Sequence, residues 1–205
     1  MFKLYNQHKT YFLLFSIWVI VVGLLIIVCG SDLLFILLHK NLGGFADLFF
    51  RLITELVSTI GVTIILILLL FRNWREGIKA TIAMISSTII THSLKIWVDA
   101  PRPWVYFKNE SMIRTIEGVV LLPNHSFPSG HSTAAFAMAA VLAFTFNDKR
   151  LSPWFFIMAV LIAYSRIYLG QHFPLDIYVG SLVGMISASL TWSFVVFKKQ
   201  KVELN

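Results

Sequence analysis

The run YFLLFSIWVIVVGLLIIVCG, residues 11–30, carries no charged side chain. At about 1.5 Å per residue a helix of this length is about 30 Å long, which matches the hydrocarbon core of a bilayer. Five further predominantly apolar runs follow, at 53–71, 78–98, 129–146, 153–170 and 175–197. A membrane β-barrel would instead show alternating segments of about ten residues. With 58% hydrophobic and 13% charged residues in 205, the chain is predicted to be an all-α integral membrane protein: one domain, 1–205, with six transmembrane helices.

Lys3 and Lys9 precede the first run, as in a signal peptide, but the apolar stretch is too long for a signal core and no small-residue cleavage site follows. It is therefore expected to stay as the first helix. The lone Cys29 lies inside it and has no partner for an internal disulfide.

Charge sets the orientation. Assigning alternate loops to alternate sides puts Lys3, Lys9, Arg72, Arg75, Lys79, Lys149, Arg150, Lys198, Lys199 and Lys201 on one side, and Lys40, Arg51, Lys95, Arg102, Lys108, Arg114 and Arg166 on the other. The richer side is cytoplasmic by the positive-inside rule, so both termini are expected there. The net charge of +7 is this topological signal. Split among short loops on two faces, it excludes a nucleic-acid footprint.

Three polar clusters then fall at the outer face. KIWVDAPRP closes the third helix with Lys95 and Arg102, and its two prolines fix the backbone around the arginine. PSGH, residues 128–131, opens the fourth helix, while SRIYLGQHFPLD, residues 165–176, closes the fifth and enters the sixth. Lys95, Arg102 and Arg166 beside a helix N-terminus describe a site for a dense anion such as phosphate. Gly130 allows close backbone approach, and Ser129 adds a hydroxyl donor. His172 has Asp176 four residues on, so the carboxylate can accept from one ring nitrogen and leave the other unprotonated. His131 has no carboxylate neighbour in sequence and is placed to carry a proton to a leaving oxygen. A held nucleophile, a separate acid and a positive cradle make a phosphoryl-transfer site.

Lys95-x6-Arg102-Pro103, Pro128-Ser129-Gly130-His131 and Ser165-Arg166-x5-His172-x3-Asp176 resemble, in order and without departure, the three signature motifs of the type-2 phosphatidic acid phosphatase superfamily. The resemblance implies that His172 forms a phosphohistidine, that Asp176 orients it and that His131 protonates the leaving group before water releases phosphate. It implies also that Lys95, Arg102, Ser129, Gly130 and Arg166 bind the phosphoryl oxygens, with no metal or other cofactor. A vanadate-dependent haloperoxidase shares such motifs, but those enzymes are soluble and larger as a class. A transporter or structural membrane protein would place its polar residues near mid-membrane.

Singly, these residues have ordinary readings. Lys95 or Arg102 alone is a snorkelling residue at a helix end, Ser129 a helix cap, and Pro174 a first-turn proline. His92 reads as an interior histidine, while Asn124 and His125 read as loop residues with a possible headgroup contact. Asp99 is expected to hold its loop by local hydrogen bonds, and Glu110 and Glu117 to be solvated. Trp97, Trp104, Tyr106 and Phe107 read as an interfacial belt. The location of the clusters predicts a lipid phosphate in the outer leaflet of a bacterial cytoplasmic membrane as substrate. The resemblance allows undecaprenyl diphosphate, phosphatidylglycerol phosphate, phosphatidic acid, diacylglycerol diphosphate or the phosphates of lipid A, with undecaprenyl diphosphate or another envelope lipid expected first. Selectivity is expected from the loop 108–124 and the first outer loop, 31–50.

Overall fold

A computed structural model describes residues 1–107, 113–146 and 148–195. Lys108, Glu110, Lys198, Lys199 and Lys201, which entered the charge and loop arguments above, lie outside the described residues. The described chain is helical, with no strand among its residues. In order come α1 (Phe2–Gln7), α2 (Lys9–Cys29), α3 (Ser31–Leu38), α4 (Gly44–Thr54), a 3-10 turn (Glu55–Val57) and α5 (Thr59–Arg72). There follow α6 (Trp74–Val98), α7 (Pro103–Tyr106), α8 (Gly130–Thr145), α9 (Ser152–Tyr168) and α10 (Pro174–Phe194).

By length and composition α2, the stretch from Trp74 to Tyr106 and α10 can cross a membrane. The pair α4 and α5, bent by 51°, adds a fourth span if taken as one. Helices α8 and α9 are apolar but have 16 and 17 residues, which gives about 24 and 26 Å against a core of about 30 Å.

The second apolar run, read above as one helix over 53–71, is broken. Ser58 is extended and caps α5 by accepting from the Gly61 amide at 3.3 Å. A Cβ on Gly61 would lie 2.5 Å from the carbonyl oxygens of Glu55 and Leu56, so only glycine lets the chain fold back this tightly. The segment 31–50, read as a loop, is mostly α3 and α4. These helices are too short to register as membrane-length runs.

Helix α8 occupies the centre, against α6, α9 and α10. Its alanine-rich stretch, from Ala134 to Ala143, is buried on nearly every side. Gly180 and Gly184 of α10 face the backbone of Ser129 and Thr133, where a side chain has no room. Small residues at such a contact let helix backbones approach where lipid removes the hydrophobic drive for helix pairing. Larger apolar side chains, among them Ile17, Ile60, Ile64, Leu68, Ile85 and Ile89, point outward, as expected of a surface solvated by lipid.

Candidate active site

The link between α6 and α7 is stitched to the segment before α8. The Ser126 amide donates to Ala100 O at 2.9 Å, and the Arg102 amide donates to Pro123 O at 2.9 Å. Asp99 and His125 take left-handed backbone, φ 41° and 57°, and their side chains pair at 3.1 Å. Asp99, expected to bond locally, instead reaches across to His125. Lys95 Nζ donates to His125 O at 2.5 Å. Arg102 donates through Nε to Asn124 O at 3.1 Å and through Nη1 to Gln171 Oε1 at 2.7 Å.

Helix α9 ends on Gly170, whose φ of 68° turns the chain back so that the Gln171 amide donates to Arg166 O at 2.9 Å. This turn brings His172 beside the first turn of α10, where Asp176 accepts from the Phe173 amide at 2.9 Å. The same oxygen, Oδ2, lies 3.3 Å from His172 Nδ1. An acceptor at Nδ1 puts the ring proton there and leaves Nε2 with its lone pair. Burial, then Arg102, Arg166 and Lys95, push the proton affinity of His172 well below that of an ordinary imidazole, while the Ser126 carbonyl opposes the shift.

A cavity of about 360 Å³ joins these groups. Lys95, Arg102, Gly130, His131, Arg166 and His172 line it, together with Arg51, Thr54, Glu55, Val119, Val120 and Gln171. Arg166 donates through Nη1 to Thr54 Oγ1 at 2.9 Å, but its buried Nε has no partner among the described residues. A buried guanidinium with an open donor suits an anionic guest. Asp176 stands behind His172. Ser129 is fully buried and is the N-cap of α8, accepting from the Ser132 amide at 3.4 Å and the Ser132 hydroxyl at 3.1 Å. Neither is in the cavity lining. Among the described residues no three His, Cys, Asp or Glu side chains gather as metal ligands.

Three contributors were not singled out in the sequence. Gln171 bridges Arg102 to Val120 O, donating to the latter at 3.0 Å. Ser126 donates to Asp176 Oδ2 at 2.5 Å. Arg51 donates to Glu117 O at 3.0 Å and borders the cavity. Their partners lie up to 69 residues away, and no local pattern marks them. Of the two segments expected to set selectivity, 108–124 supplies Val119 and Val120 to the lining, whereas 31–50 supplies no lining residue and Arg51 just beyond it does. A second cavity, about 520 Å³ and mainly apolar, lies among α5, α6 and α8 and shares Lys95 and Gly130 with the first. His92 borders this second cavity.

The sequence model of the PAP2 superfamily matches residues 76–200 of the 205. The chain belongs to the PAP2 superfamily. It is 27% identical over 155 residues to the undecaprenyl-diphosphatase BcrC of Bacillus subtilis (strain 168), covering 74% of this chain and 76% of that one. The crystal structure of Aquifex aeolicus LpxE aligns with a TM-score of 0.68 at 32% identity, over 78% of this chain and 93% of that one. A transmembrane PAP2 type phosphatidylglycerolphosphate phosphatase from Bacillus subtilis shares the fold, with a TM-score of 0.67 at 19% identity over 95% of this chain and 96% of that one. Another curated relative is matched over 35% of its length. Membership places the chain among the hydrolases of phosphoric esters and diphosphates, as the motifs implied.

Proposed function

We propose that the chain is a single-domain lipid phosphatase of the cytoplasmic membrane, with six spans, both termini in the cytoplasm and the site at the outer face. The observation that carries this reading is His172, backed by Asp176 and facing a cation-lined cavity that shares Lys95 and Gly130 with an apolar groove. A lipid tail rests in the groove while its phosphate enters the cavity. Arg102, Arg166 and Lys95 take the phosphoryl oxygens with the Gly130 backbone, and Ser129 fixes the helix end that presents them.

His172 Nε2 attacks phosphorus, and the bond from phosphorus to the leaving oxygen breaks. His131 gives its proton to that oxygen. The phosphohistidine carries positive charge on the ring, which Asp176 stabilises through Nδ1–H. Water then attacks the same phosphorus, passes a proton to His131 and restores His172 as inorganic phosphate leaves. No step calls for a metal. An envelope lipid, foremost undecaprenyl diphosphate, is the proposed substrate, and BcrC is named for that activity.

The test is phosphate release by purified protein in detergent with a chelator present, from undecaprenyl diphosphate, phosphatidylglycerol phosphate, phosphatidic acid and lipid A. Release from one lipid that is lost in His172→Ala supports the reading. Full activity in His172→Ala refutes the mechanism, and no phosphate release from any lipid together with vanadate-dependent oxidation of a halide by hydrogen peroxide favours haloperoxidase chemistry.

A further inference from the structure

We propose that Ser126 is a positioning residue for the nucleophile, its hydroxyl holding Asp176 at a set distance from His172. The proposal rests on the phosphohistidine reading above. Ser126 is fully buried and lies outside the three motifs. Its amide donates to Ala100 O at 2.9 Å and, three residues on, the Ser129 amide donates to Asp176 O at 3.0 Å, so the hydroxyl is carried on a segment fixed both to the α6–α7 link and to the start of α10.

The geometry at Asp176 is crowded on one oxygen. Oδ2 accepts from the Ser126 hydroxyl at 2.5 Å and from the Phe173 amide at 2.9 Å, with His172 Nδ1 at 3.3 Å. Ser126 Oγ is itself 3.5 Å from that Nδ1. Three donors share the lone pairs of one carboxylate oxygen, and the serine holds the shortest contact. Competition of this kind weakens the bond to the ring, so Asp176 adds less to the basicity of His172 than an unshared carboxylate does. The resting ring stays neutral with Nε2 free.

Once Nε2 holds the phosphoryl group and the ring is cationic, Nδ1–H becomes the stronger donor. The contact to Oδ2 shortens against a carboxylate that Ser126 and Phe173 keep in place. The other charged or titratable groups facing His172 are Lys95, Arg102, His131 and Arg166. None of them touches Asp176 Oδ2.

Removing the hydroxyl frees Oδ2 for His172. In Ser126→Ala the ring becomes more basic, so the acidic limb of kcat/KM moves up by about one pH unit. The looser carboxylate lowers kcat by about tenfold to a hundredfold, with little change in KM. Ser126→Thr keeps the donor and is expected to return the limb to its wild-type position.

The experiment is the pH profile of kcat/KM for wild type, Ser126→Ala, Ser126→Thr and His172→Ala, with dioctanoyl phosphatidic acid as probe. A shift in Ser126→Ala that is reversed in Ser126→Thr supports the proposal. An unshifted Ser126→Ala profile overturns it, and so do equal shifts in both variants, because the packing and not the hydroxyl then matters. A wild type with no His172-dependent release from this probe or from any other lipid of the panel overturns the hydrolase reading and this proposal together. An active wild type matched by Ser126→Ala overturns this proposal alone.

Discussion

Gly180 of α10 faces Ser129 at the head of α8 so closely that a Cβ on the glycine would lie 2.7 Å from the Ser129 carbonyl oxygen. The Ser129 amide in turn donates to Asp176 O at 3.0 Å. This contact sets the spacing of the two helix ends that carry His131 and Asp176. Gly180→Ala forces the ends apart. It is expected to cost about 1–3 kcal/mol of stability, the usual price of overpacking, and to lower kcat as well. Gly44→Ala meets nothing within 4 Å and serves as the comparison. Thermal unfolding in detergent and phosphate release measure both effects, and a fully active, equally stable Gly180→Ala would refute the account.

The motif residues could be read from the sequence because their spacing is short and their residue types are unusual in apolar helices. Lys95, Arg102, Gly130, His131, Arg166 and His172 do reach one cavity. Ser126, Gln171 and Thr54 could not be read in this way. Each contributes through a partner on another helix or loop, and that partner is chosen by how the backbone turns at Gly170 and at the stitched segment before α8. The break at Ser58 was hidden for a related reason. Hydropathy reports that a run is apolar but says nothing of a bend made possible by one glycine, Gly61.

The pH dependence follows from His172, which lies in the turn between α9 and α10. Burial and three nearby cations hold its ring well below the ordinary value of 6.5. The active nucleophile is the neutral ring, so activity is present above the depressed value and is lost as pH falls through it. The acidic limb of kcat/KM, which reports the free enzyme, is therefore expected below 6.5. Replacing one cation, as in Lys95→Met, relieves repulsion of the protonated ring and moves the limb upward. A wild-type limb at or above 6.5 would contradict this arrangement.

Residues 113–122 are tied beside the cavity by a cluster centred on Asp47. Its carboxylate accepts from the Arg114 guanidinium and, at 2.5 Å, from the Tyr168 hydroxyl. The Arg114 amide donates to His39 Nε2 at 3.0 Å. His39 Nδ1 lies 3.1 Å from the Ile167 and Tyr168 carbonyl oxygens, so the ring is neutral with its proton on Nδ1. The Asp47–Arg114 pair is partly exposed, which limits its worth to about 1 kcal/mol. Asp47→Ala is expected to raise KM about fivefold, the equivalent of that energy, with kcat nearly unchanged. Because Val119 and Val120 line the cavity, the ratio of KM values across the lipid panel should change too. An unaltered ratio would separate this segment from selectivity.

His131 can be separated from His172 by its dependence on the leaving group. Both line the cavity, but only the nucleophile is needed whatever leaves. A general acid contributes in proportion to the basicity of the oxygen it protonates, typically 10²–10⁴-fold for a poor leaving group. His131→Ala is therefore expected to lose about that much on an alkyl phosphate and much less on a nitrophenyl phosphate, whose phenolate departs without a proton. His172→Ala should abolish both reactions. Measuring kcat for each variant on the two esters makes the comparison. Equal losses in His131→Ala would move that residue from proton donor to phosphate ligand, because a ligand's contribution to holding the phosphoryl group does not vary with what departs from it.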